Sequence, residues 1–394
     1  MAARDRREVA IAHLERHGAG IEAPTLEPPG CARAHARHFL LHALDVDEIK
    51  WLVREYGEST RIALEEGVDA VEIHANHDDV VQWFLSPLTN HRTDQYGGSF
   101  ENRIRYLREI TESIRSHAPK PFTYGLRLCM DEFIDGGYGV EECMKFVETF
   151  TADGTVDYFS LDVGSNFGSP SYVQVGWHDD AEWAGLCGTI KQATNLPVVY
   201  CGRVTTPEQA DAIIAAGQAD VVAVVRATIA DTEFLNKAKG VNPEPLKPCI
   251  GLNECINRKQ VEGLPYACGV STRWAREWEL RDLPSRTSKP RNVLVVGAGP
   301  AGTELACQLT EQGHTVRLWE KADRVGGLLN VAAKLRSKSS TSLPKQKRVA
   351  SYVAANAASA GSRRARCCRD KSRNGTFMLG SSKTRNRPRC TTSI

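Results

Sequence analysis

The stretch from Val293 to Gly302 constrains the fold of this chain more than any other, because its glycines recur at the spacing of a dinucleotide-binding turn. The apolar run before the first glycine suits a buried parallel strand. Gly297 turns the chain, Gly299 lets the backbone approach a pyrophosphate, and Gly302 lets the following helix pack on the strand. The pattern predicts a strand–turn–helix unit whose helix N-terminus favours anions.

A second strand and an acid follow at the distance that such a turn requires. Residues 303–312 are predicted to form the helix, and Thr315–Glu320 a strand that ends in a carboxylate. Glu320 would then lie where an adenosine ribose hydroxyl binds. Gly326 and Gly327 form a pair that is typical of flavoproteins with two such turns. Together these features predict nucleotide binding, and the alternative is a glycine-rich turn in a different α/β unit.

Three cysteines at iron–sulfur spacing stand ahead of the glycine turn. Cys249, Cys255 and Cys268 follow the pattern C-x5-C-x12-C, and Leu252 stands at the midpoint where a four-cysteine cluster needs its remaining ligand. A zinc site would also need a fourth ligand, and no histidine lies nearby in the sequence. The spacing predicts an electron-transfer cluster with one ligand missing. The alternative is three unrelated thiols.

Positive charge is concentrated at the C-terminal end of the chain. Residues 336–394 hold fifteen lysines or arginines and one acid, Asp370, whereas the whole chain has a formal net charge of only +2. The segment has no nucleic-acid-binding motif and no aromatic interleaving, and it follows a nucleotide-binding unit with only two predicted strands. We expect a disordered or non-native end and no nucleic-acid partner, with a binding tail as the alternative.

Size and composition favour a two-domain protein of a reducing compartment. The chain has 394 residues, 41% of them hydrophobic, and can bury a large core. No signal peptide and no transmembrane run of apolar residues are recognisable. Twelve cysteines without a sign of export fit the cytoplasm, where they would be metal ligands or thiols.

Before residue 240 the chain alternates strand-like and helix-like segments. The apolar runs that predict strands are Val9–Leu14, Ala70–His74, Phe122–Leu128, Tyr158–Val163, Pro197–Gly202 and Val221–Val225. Amphipathic patterns predict helices over 46–66, 100–117, 140–152, 179–194 and 207–216. Such alternation means a parallel sheet, and six βα units indicate a (β/α)8 barrel that lacks two units. An open, doubly wound sheet is the alternative.

The predicted strands end in polar residues, and in a barrel the chemistry lies at these ends. His74 and His77 close one strand, and Arg127 lies inside an apolar run, where an unpaired charge would be costly. Two late strands end in Gly202-Arg203 and in Arg226, which predicts a phosphate site. Each arginine taken alone is equally compatible with a surface salt bridge.

Three sequence blocks resemble the barrel of the old yellow enzyme family: Val71–His77, Phe84–Asn90 and Arg92–Arg103. With the cysteines and the glycine turn added, residues 9–335 resemble its multidomain branch of 2,4-dienoyl-CoA reductase and trimethylamine dehydrogenase type. The resemblance implies FMN in the barrel, a [4Fe-4S] cluster after it, and an FAD- or ADP-binding domain last. The corresponding ranges are 1–240, 241–285 and 286–335, followed by the tail 336–394.

The resemblance also implies a role for each matching residue. His74 and His77 would face the substrate over the flavin as the catalytic pair, and Arg127 would lie at the polar edge of the flavin. The FMN phosphate would be bound by Gly202, Arg203 and Arg226. Cys249, Cys255 and Cys268 match three of four cluster ligands, and the nucleotide of the last domain would lie on Gly297, Gly299, Gly302, Glu320 and Gly327.

Several positions depart from the pattern of the family. Leu252 replaces a cluster cysteine, Asp79 stands where many relatives have a proton-donating tyrosine, and Val225 stands where a small residue is usual. The family barrel also begins earlier than this chain. We therefore expect a fragment that lacks its first two βα units.

The implied function is an FMN-dependent oxidoreductase that passes electrons between a small organic substrate and an iron–sulfur/FAD relay. The substrate is an N-alkyl amine or, with NAD(P)H, an enoyl compound, and the redox partner is NAD(P)H or an electron-transfer flavoprotein. A homodimer is an open alternative. Tyr172, Trp177 and Trp183 would suit an alkylammonium cage, although ordinary packing is the favoured interpretation. The competing hypothesis is an inactive fragment of such an enzyme.

Overall fold

The computed structural model describes residues 43–165, 172–176, 178–260, 263–281 and 286–332, together with the backbone of two strands between 365 and 381. The chain divides into two compact units. The first comprises residues 1–174, 180–204 and 208–223, and the second comprises 175–179, 205–207 and 224–394. Each unit is described by itself below.

The described part of the first unit is built on a parallel sheet of five strands. These are β1 (Ala70–Ala75), β2 (Thr123–Cys129), β3 (Tyr158–Asp162), β4 (Val198–Cys201) and β5 (Val221–Ala223). They pair in the order β1-β2-β3-β4-β5, which is also their order along the chain. An open, doubly wound sheet reverses its strand order at a switch point, whereas a barrel does not. The observed order is that of a β/α barrel.

One helix precedes β1, and the others lie between the strands, as the alternation predicts. They are α1 (Val46–Glu65), α2 (Val80–Leu85), α3 (Phe100–His117), α4 (Val140–Asp153), α5 (Ala184–Lys191) and α6 (Pro207–Ala215). Helix α1 begins with a capping box, in which Asp45 and Glu48 bind each other's backbone N–H groups. Its apolar face packs against α3 and buries Ile49 and Leu52.

The predicted strands and helices of this unit are confirmed, with shifted ends. The predicted helix over 179–194 is shorter and starts at Ala184, because Ala181 adopts a φ of 54°, which no α-helix contains. Helix α2 was not predicted, since six residues give too short a periodic signal. The predicted strand Val9–Leu14 lies outside the described residues.

The second unit contains the glycine-turn fold and several short helices. The helices are α7 (Arg226–Ala230), α8 (Phe234–Ala238), α9 (Glu254–Gln260), α10 (Glu277–Leu280), α11 (Pro300–Glu311) and α12 (Leu329–Ala332). Strands β6 (Asn292–Val296) and β7 (Thr315–Trp319) are parallel and flank α11 in sequence. A small core of Val295, Ala298, Ala306, Val316 and Leu318 joins them.

The prediction of only two strands for this unit is wrong. The described backbone adds β8 (Ala365–Arg369) and β9 (Thr376–Ser381), which are antiparallel, in the sheet order β6-β7-β9-β8. The apolar run from Phe377 to Leu379 is the sequence signal for β9, and the surrounding basic residues obscure it. No described helix is both long and apolar enough to span a membrane.

Close packing between β2 and β3 gives a test of the first unit. Gly125 lies directly opposite Tyr158, and a Cβ at Gly125 would overlap the tyrosine ring. We expect Gly125→Ala to lower the free energy of unfolding by about 1–3 kcal/mol, because the ring has to move out of a packed position. Urea unfolding checks this. The control Gly185→Ala meets nothing within 4 Å and should be neutral or slightly stabilising, so an equal loss in both variants would contradict the expectation.

Candidate active site

Polar side chains from three neighbouring strands meet at the carboxyl edge of the first sheet. His74 lies near the end of β1, in register with Arg127 of β2, and Asp162 is the last residue of β3. Because parallel strands present their carboxyl ends at one edge, these residues come together although they are far apart in sequence.

Asp162 connects two residues that the sequence predicted separately. Its Oδ2 atom lies 2.9 Å from His77 Nε2 and accepts hydrogen bonds from Arg127, with Nε at 3.2 Å. The Arg127 guanidinium also reaches Cys201 Sγ at 3.3 Å. Asp162 is 3% exposed, and its carboxylate pairs with Arg127. This ion pair offsets the free-energy cost of placing an arginine inside an apolar strand. Asp162 is not among the predicted site residues, and its signal in the sequence is an acid at the end of an apolar strand.

The two histidines form the next link of this network. His74 Nε2 lies 3.0 Å from His77 Nδ1. Since a carboxylate only accepts hydrogen bonds, we assign the His77 proton to Nε2, which leaves Nδ1 to accept from His74 Nε2–H. His74 Nδ1 is then unprotonated, and its lone pair is the outermost acceptor of the hydrogen-bonded line Asp162–His77–His74. The ring of Tyr172 stacks on His77 with a centroid distance of 4.3 Å.

His74 is held neutral by its surroundings. Burial, followed by His77 and Arg127, lowers the pKa of His74 to about 4, and Asp162 opposes this only in part. Asp79 Oδ2 lies 3.3 Å from His74 Nε2. A neutral imidazole accepts as well as donates, which suits a group that faces substrate.

The residues at this edge fit a bound group such as FMN. Among the described residues, the buried atoms Asn76 Nδ2 and Asp162 Oδ1 have no hydrogen-bond partner. A buried polar atom left unpaired costs about 1–3 kcal/mol, so a ligand with polar edges would supply what the protein does not. Arg127 adds a cation at the same edge. The two unpaired atoms and the Arg127 cation are therefore compatible with a bound flavin.

The two arginines predicted to bind the FMN phosphate have different partners within the protein. Arg203 of the first unit has a φ of 50° and its Nε lies 3.1 Å from Asp180 Oδ1, just after Gly202. Arg226 of the second unit donates to Asn253 Oδ1 at 2.9 Å. Both assignments stay predictions.

The glycine turn of the second unit has the geometry that its sequence demands. Gly297 has a φ of 99°, and a Cβ at Gly302 would overlap the Gly297 carbonyl oxygen. A Cβ at Gly327 would lie 3.1 Å from Gly299 Cα. Glu320 Oε2 accepts from the backbone N–H of Ala298 at 2.6 Å, and backbone donors hold the pKa of Glu320 below its usual range. The carboxylate thus orders the turn, and its contact to a ribose stays a prediction.

The three predicted cluster cysteines give an incomplete ligand set. Burial raises the pKa of Cys255, and Cys249 and Cys268 add to the rise because their thiolates would repel it. Leu252 is half exposed beside Gly269, which adjoins Cys268. Within the described residues, no group of three His, Cys, Asp or Glu side chains is arranged to hold a metal ion. The described residues of this segment therefore do not fit a cluster with four cysteine ligands.

Comparison with known proteins defines the class. Residues 12–244 match the NADH:flavin oxidoreductase / NADH oxidase family, and residues 295–335 match an NAD(P)-binding Rossmann-like domain. The barrel order of the strands and the polar edge of the sheet agree with the first match. The chain belongs to the NADH:flavin oxidoreductase / NADH oxidase family, and its first unit is a TIM-type barrel.

Relatives with established names are oxidoreductases. The chain is 31% identical to the N,N-dimethylglycine/sarcosine dehydrogenase of Chromohalobacter salexigens, over 83% of this chain and 48% of the relative. It is 33% identical to the dimethylamine dehydrogenase of Hyphomicrobium sp. (strain x), over 75% and 40%. The chain thus spans about half the length, or less, of these curated relatives.

Solved structures of the same class are similar in fold. A 2-naphthoyl-CoA reductase complex superimposes with a TM-score of 0.73 and 28% identity, over 82% of this chain and 48% of that chain. Histamine dehydrogenase from Rhizobium sp. 4-9 superimposes with a TM-score of 0.70 and 28% identity, over 80% and 45%.

The lowered pKa of His74 predicts a pH dependence of stability. The imidazole titrates near 6.5 in the unfolded chain and near 4 in the folded one, so between these values the unfolded chain binds a proton that the folded chain does not. The free energy of unfolding should therefore fall as the pH is lowered from 6.5 to 4. We expect His74→Gln to show a smaller fall in urea titrations. His91→Gln, at an exposed ring, should follow the wild type, and identical slopes in all three proteins would contradict the expectation.

The incomplete cysteine set predicts poor cluster retention. Leu252→Cys should raise the iron and labile-sulfide content after anaerobic reconstitution, because it restores the missing thiolate. The control Leu264→Cys adds a thiol at another exposed leucine of the same segment and should not. Chemical analysis with electron paramagnetic resonance measures both. A wild-type chain that keeps a full [4Fe-4S] cluster in air would show the expectation to be wrong.

Proposed function

We propose that this chain carries the FMN-dependent catalytic site of an oxidoreductase that oxidises a small N-alkyl amine. The observation that carries the proposal is the hydrogen-bonded line from Asp162 through His77 to His74 at the carboxyl edge of the barrel sheet. The names of two relatives, a dimethylglycine/sarcosine dehydrogenase and a dimethylamine dehydrogenase, support the substrate class.

The residues of the line have distinct roles in this proposal. Asp162 fixes the tautomer of His77 and compensates Arg127, which would lie at the polar edge of the flavin. His77 orients His74, whose Nδ1 lone pair would accept a hydrogen bond or a proton from the substrate nitrogen. FMN, when bound, supplies a two-electron acceptor, and Gly202, Arg203 and Arg226 would hold its phosphate.

The same site also allows reduction of an enoyl compound with NAD(P)H as the second candidate. The likeness to a 2-naphthoyl-CoA reductase favours it. Asp79 argues against it, because the tyrosine that would donate a proton to the alkene is absent at that position. The amine therefore remains the first choice.

The second unit is proposed to exchange electrons with the barrel domain. Gly297, Gly299, Gly302, Glu320 and Gly327 would bind FAD or ADP there. The range 241–285 is the proposed cluster segment, although its ligand set is incomplete. NAD(P)H or an electron-transfer flavoprotein is the proposed redox partner, and a homodimer is the proposed assembly.

Direct reduction of the flavin separates the two candidates. The FMN-loaded full chain is mixed anaerobically with dimethylamine or sarcosine, and loss of the visible flavin absorbance is followed. Bleaching by the amine supports the proposal. Bleaching by NADH but by neither amine, followed by reoxidation of the reduced flavin by an enoyl thioester, would overturn it in favour of the reductase.

Asp162 offers a matched test on a single strand. Asp162→Asn should lower kcat/KM by about 10²–10⁴-fold, the usual contribution of a positioned acid or base, because His77 loses the acceptor that fixes its tautomer. The control is Asp157→Asn, a carboxylate that also binds an arginine, Arg115, but at the other end of β3. Steady-state kinetics normalised to bound flavin decide the test, and equal losses in both variants would remove Asp162 from the site.

A further inference from the structure

Glu132 is a buried carboxylate that the catalytic line does not include. It lies in the loop after β2 and is 3% exposed. Among the described residues it accepts hydrogen bonds from Gln82 Nε2 at 2.8 Å, from Ser86 Oγ at 2.7 Å and from the Tyr138 backbone N–H at 2.9 Å. The Gln82 amide nitrogen and the Tyr138 backbone N–H can only donate, so Oε1 and Oε2 of Glu132 both act as acceptors.

Gln82 passes this interaction on to the turn that carries His77. Its side chain is fully buried in α2, and its Oε1 accepts from the Asp78 backbone N–H at 2.7 Å. A backbone N–H can only donate, so the amide oxygen must face Asp78 and the amide nitrogen must face Glu132. The amide orientation is therefore fixed from both ends.

The turn itself has an unfavourable backbone conformation. His77 and Asp78 have φ values of 60° and 59°, which residues other than glycine rarely adopt. Asn76 Oδ1 accepts from the His77 N–H at 2.6 Å, and Gln82 holds the next N–H. Such conformations persist where the surroundings determine them, and here they direct the His77 ring to Asp162.

We propose that Glu132 is a positioning residue for His77: through Gln82 it fixes the His77–Asp78 turn, and so the hydrogen bonds of His77 to Asp162 and His74. The pattern requires acceptors at both oxygens of residue 132. The proposal rests on the proposed function only in taking His77 as catalytic, since the positioning itself is a property of the protein alone.

Replacing the Glu132 carboxylate by an amide makes two hydrogen-bond donors face each other at a defined position. In Glu132→Gln, the oxygen accepts from Ser86 and Tyr138, and the new NH2 group then faces the NH2 group of Gln82. If Gln82 flips to relieve this, its NH2 group faces the Asp78 N–H instead. One donor therefore opposes another in either orientation, and the second orientation disturbs the turn.

The double exchange Glu132→Gln with Gln82→Glu removes this conflict. The amide at position 132 keeps its oxygen on Ser86 and Tyr138 and donates to the carboxylate at position 82. That carboxylate still accepts from the Asp78 N–H. Every donor again has an acceptor. The only change is that the carboxylate stands at position 82 and the amide at position 132.

The experiment reads the His77 ring directly. The full chain is prepared with 15N-labelled histidine, His77 is assigned with a His77→Asn variant, and the imidazole nitrogen shifts are recorded for wild type, Glu132→Gln, the double exchange and Ser86→Ala. Ser86→Ala is the matched control, because it removes an equally buried hydrogen bond to Glu132 that does not lead to Asp78. Urea unfolding of each variant is measured in parallel.

We expect Glu132→Gln to shift the His77 Nε2 and Nδ1 signals away from the single tautomer, the double exchange to restore them, and Ser86→Ala to leave them in place whatever its stability. Unchanged His77 signals in Glu132→Gln would overturn the proposal. So would a shift in Ser86→Ala of the same size, since Glu132 would then act through general stability. If Glu132→Gln does not fold, the double exchange decides: wild-type His77 signals support the proposal, and altered signals reject it. No outcome depends on turnover, so a failure of the proposed function is recognised separately.

Discussion

The site at the sheet edge depends on one carboxylate. Asp162 binds Arg127 and His77 at once, so a single buried charge compensates the arginine and fixes the tautomer of the histidine. Without it, the partly buried Arg127 would lack its carboxylate partner in an apolar strand, and this loss would cost more than a surface ion pair contributes. The order of β1, β2 and β3 brings these side chains together, and the neutral His74 follows as the outer member of the line.

The second unit uses a carboxylate in a related way. Glu320 follows β7 and binds the N–H of Ala298, just as Asp162 ends β3 and binds groups of the neighbouring strand and loop. In both units an acid at the carboxyl end of a parallel strand orders the loops where ligands bind in such folds. This common arrangement explains why the two units, different in topology, each present a preformed polar edge.

Membership of the family sets the class of chemistry, and two positions of the sequence bear on the function proposed for this chain. Leu252 leaves three thiols in the proposed cluster segment, one fewer than a four-cysteine cluster uses. Asp79 places a carboxyl group 3.3 Å from His74 Nε2, where the resemblance to the family implies a proton-donating tyrosine. In the proposed function, both positions favour an amine substrate that is oxidised at the barrel site.

The sequence by itself determined the alternation of strands and helices, the histidine pair, the strand arginine and the glycine turn. These features are local. Periodicity is read within one segment, Gly297 needs its positive φ, and Gly302 approaches the carbonyl of Gly297 only five residues before it. Only the tertiary structure decided that Asp162, 85 positions from His77, closes the network, and that Glu132 reaches the same turn through Gln82. Such contacts depend on which strand ends become neighbours, and no pattern within one segment encodes the neighbours of a strand. The order of the strands in the sheet and the need to pair a buried charge decide which side chains meet.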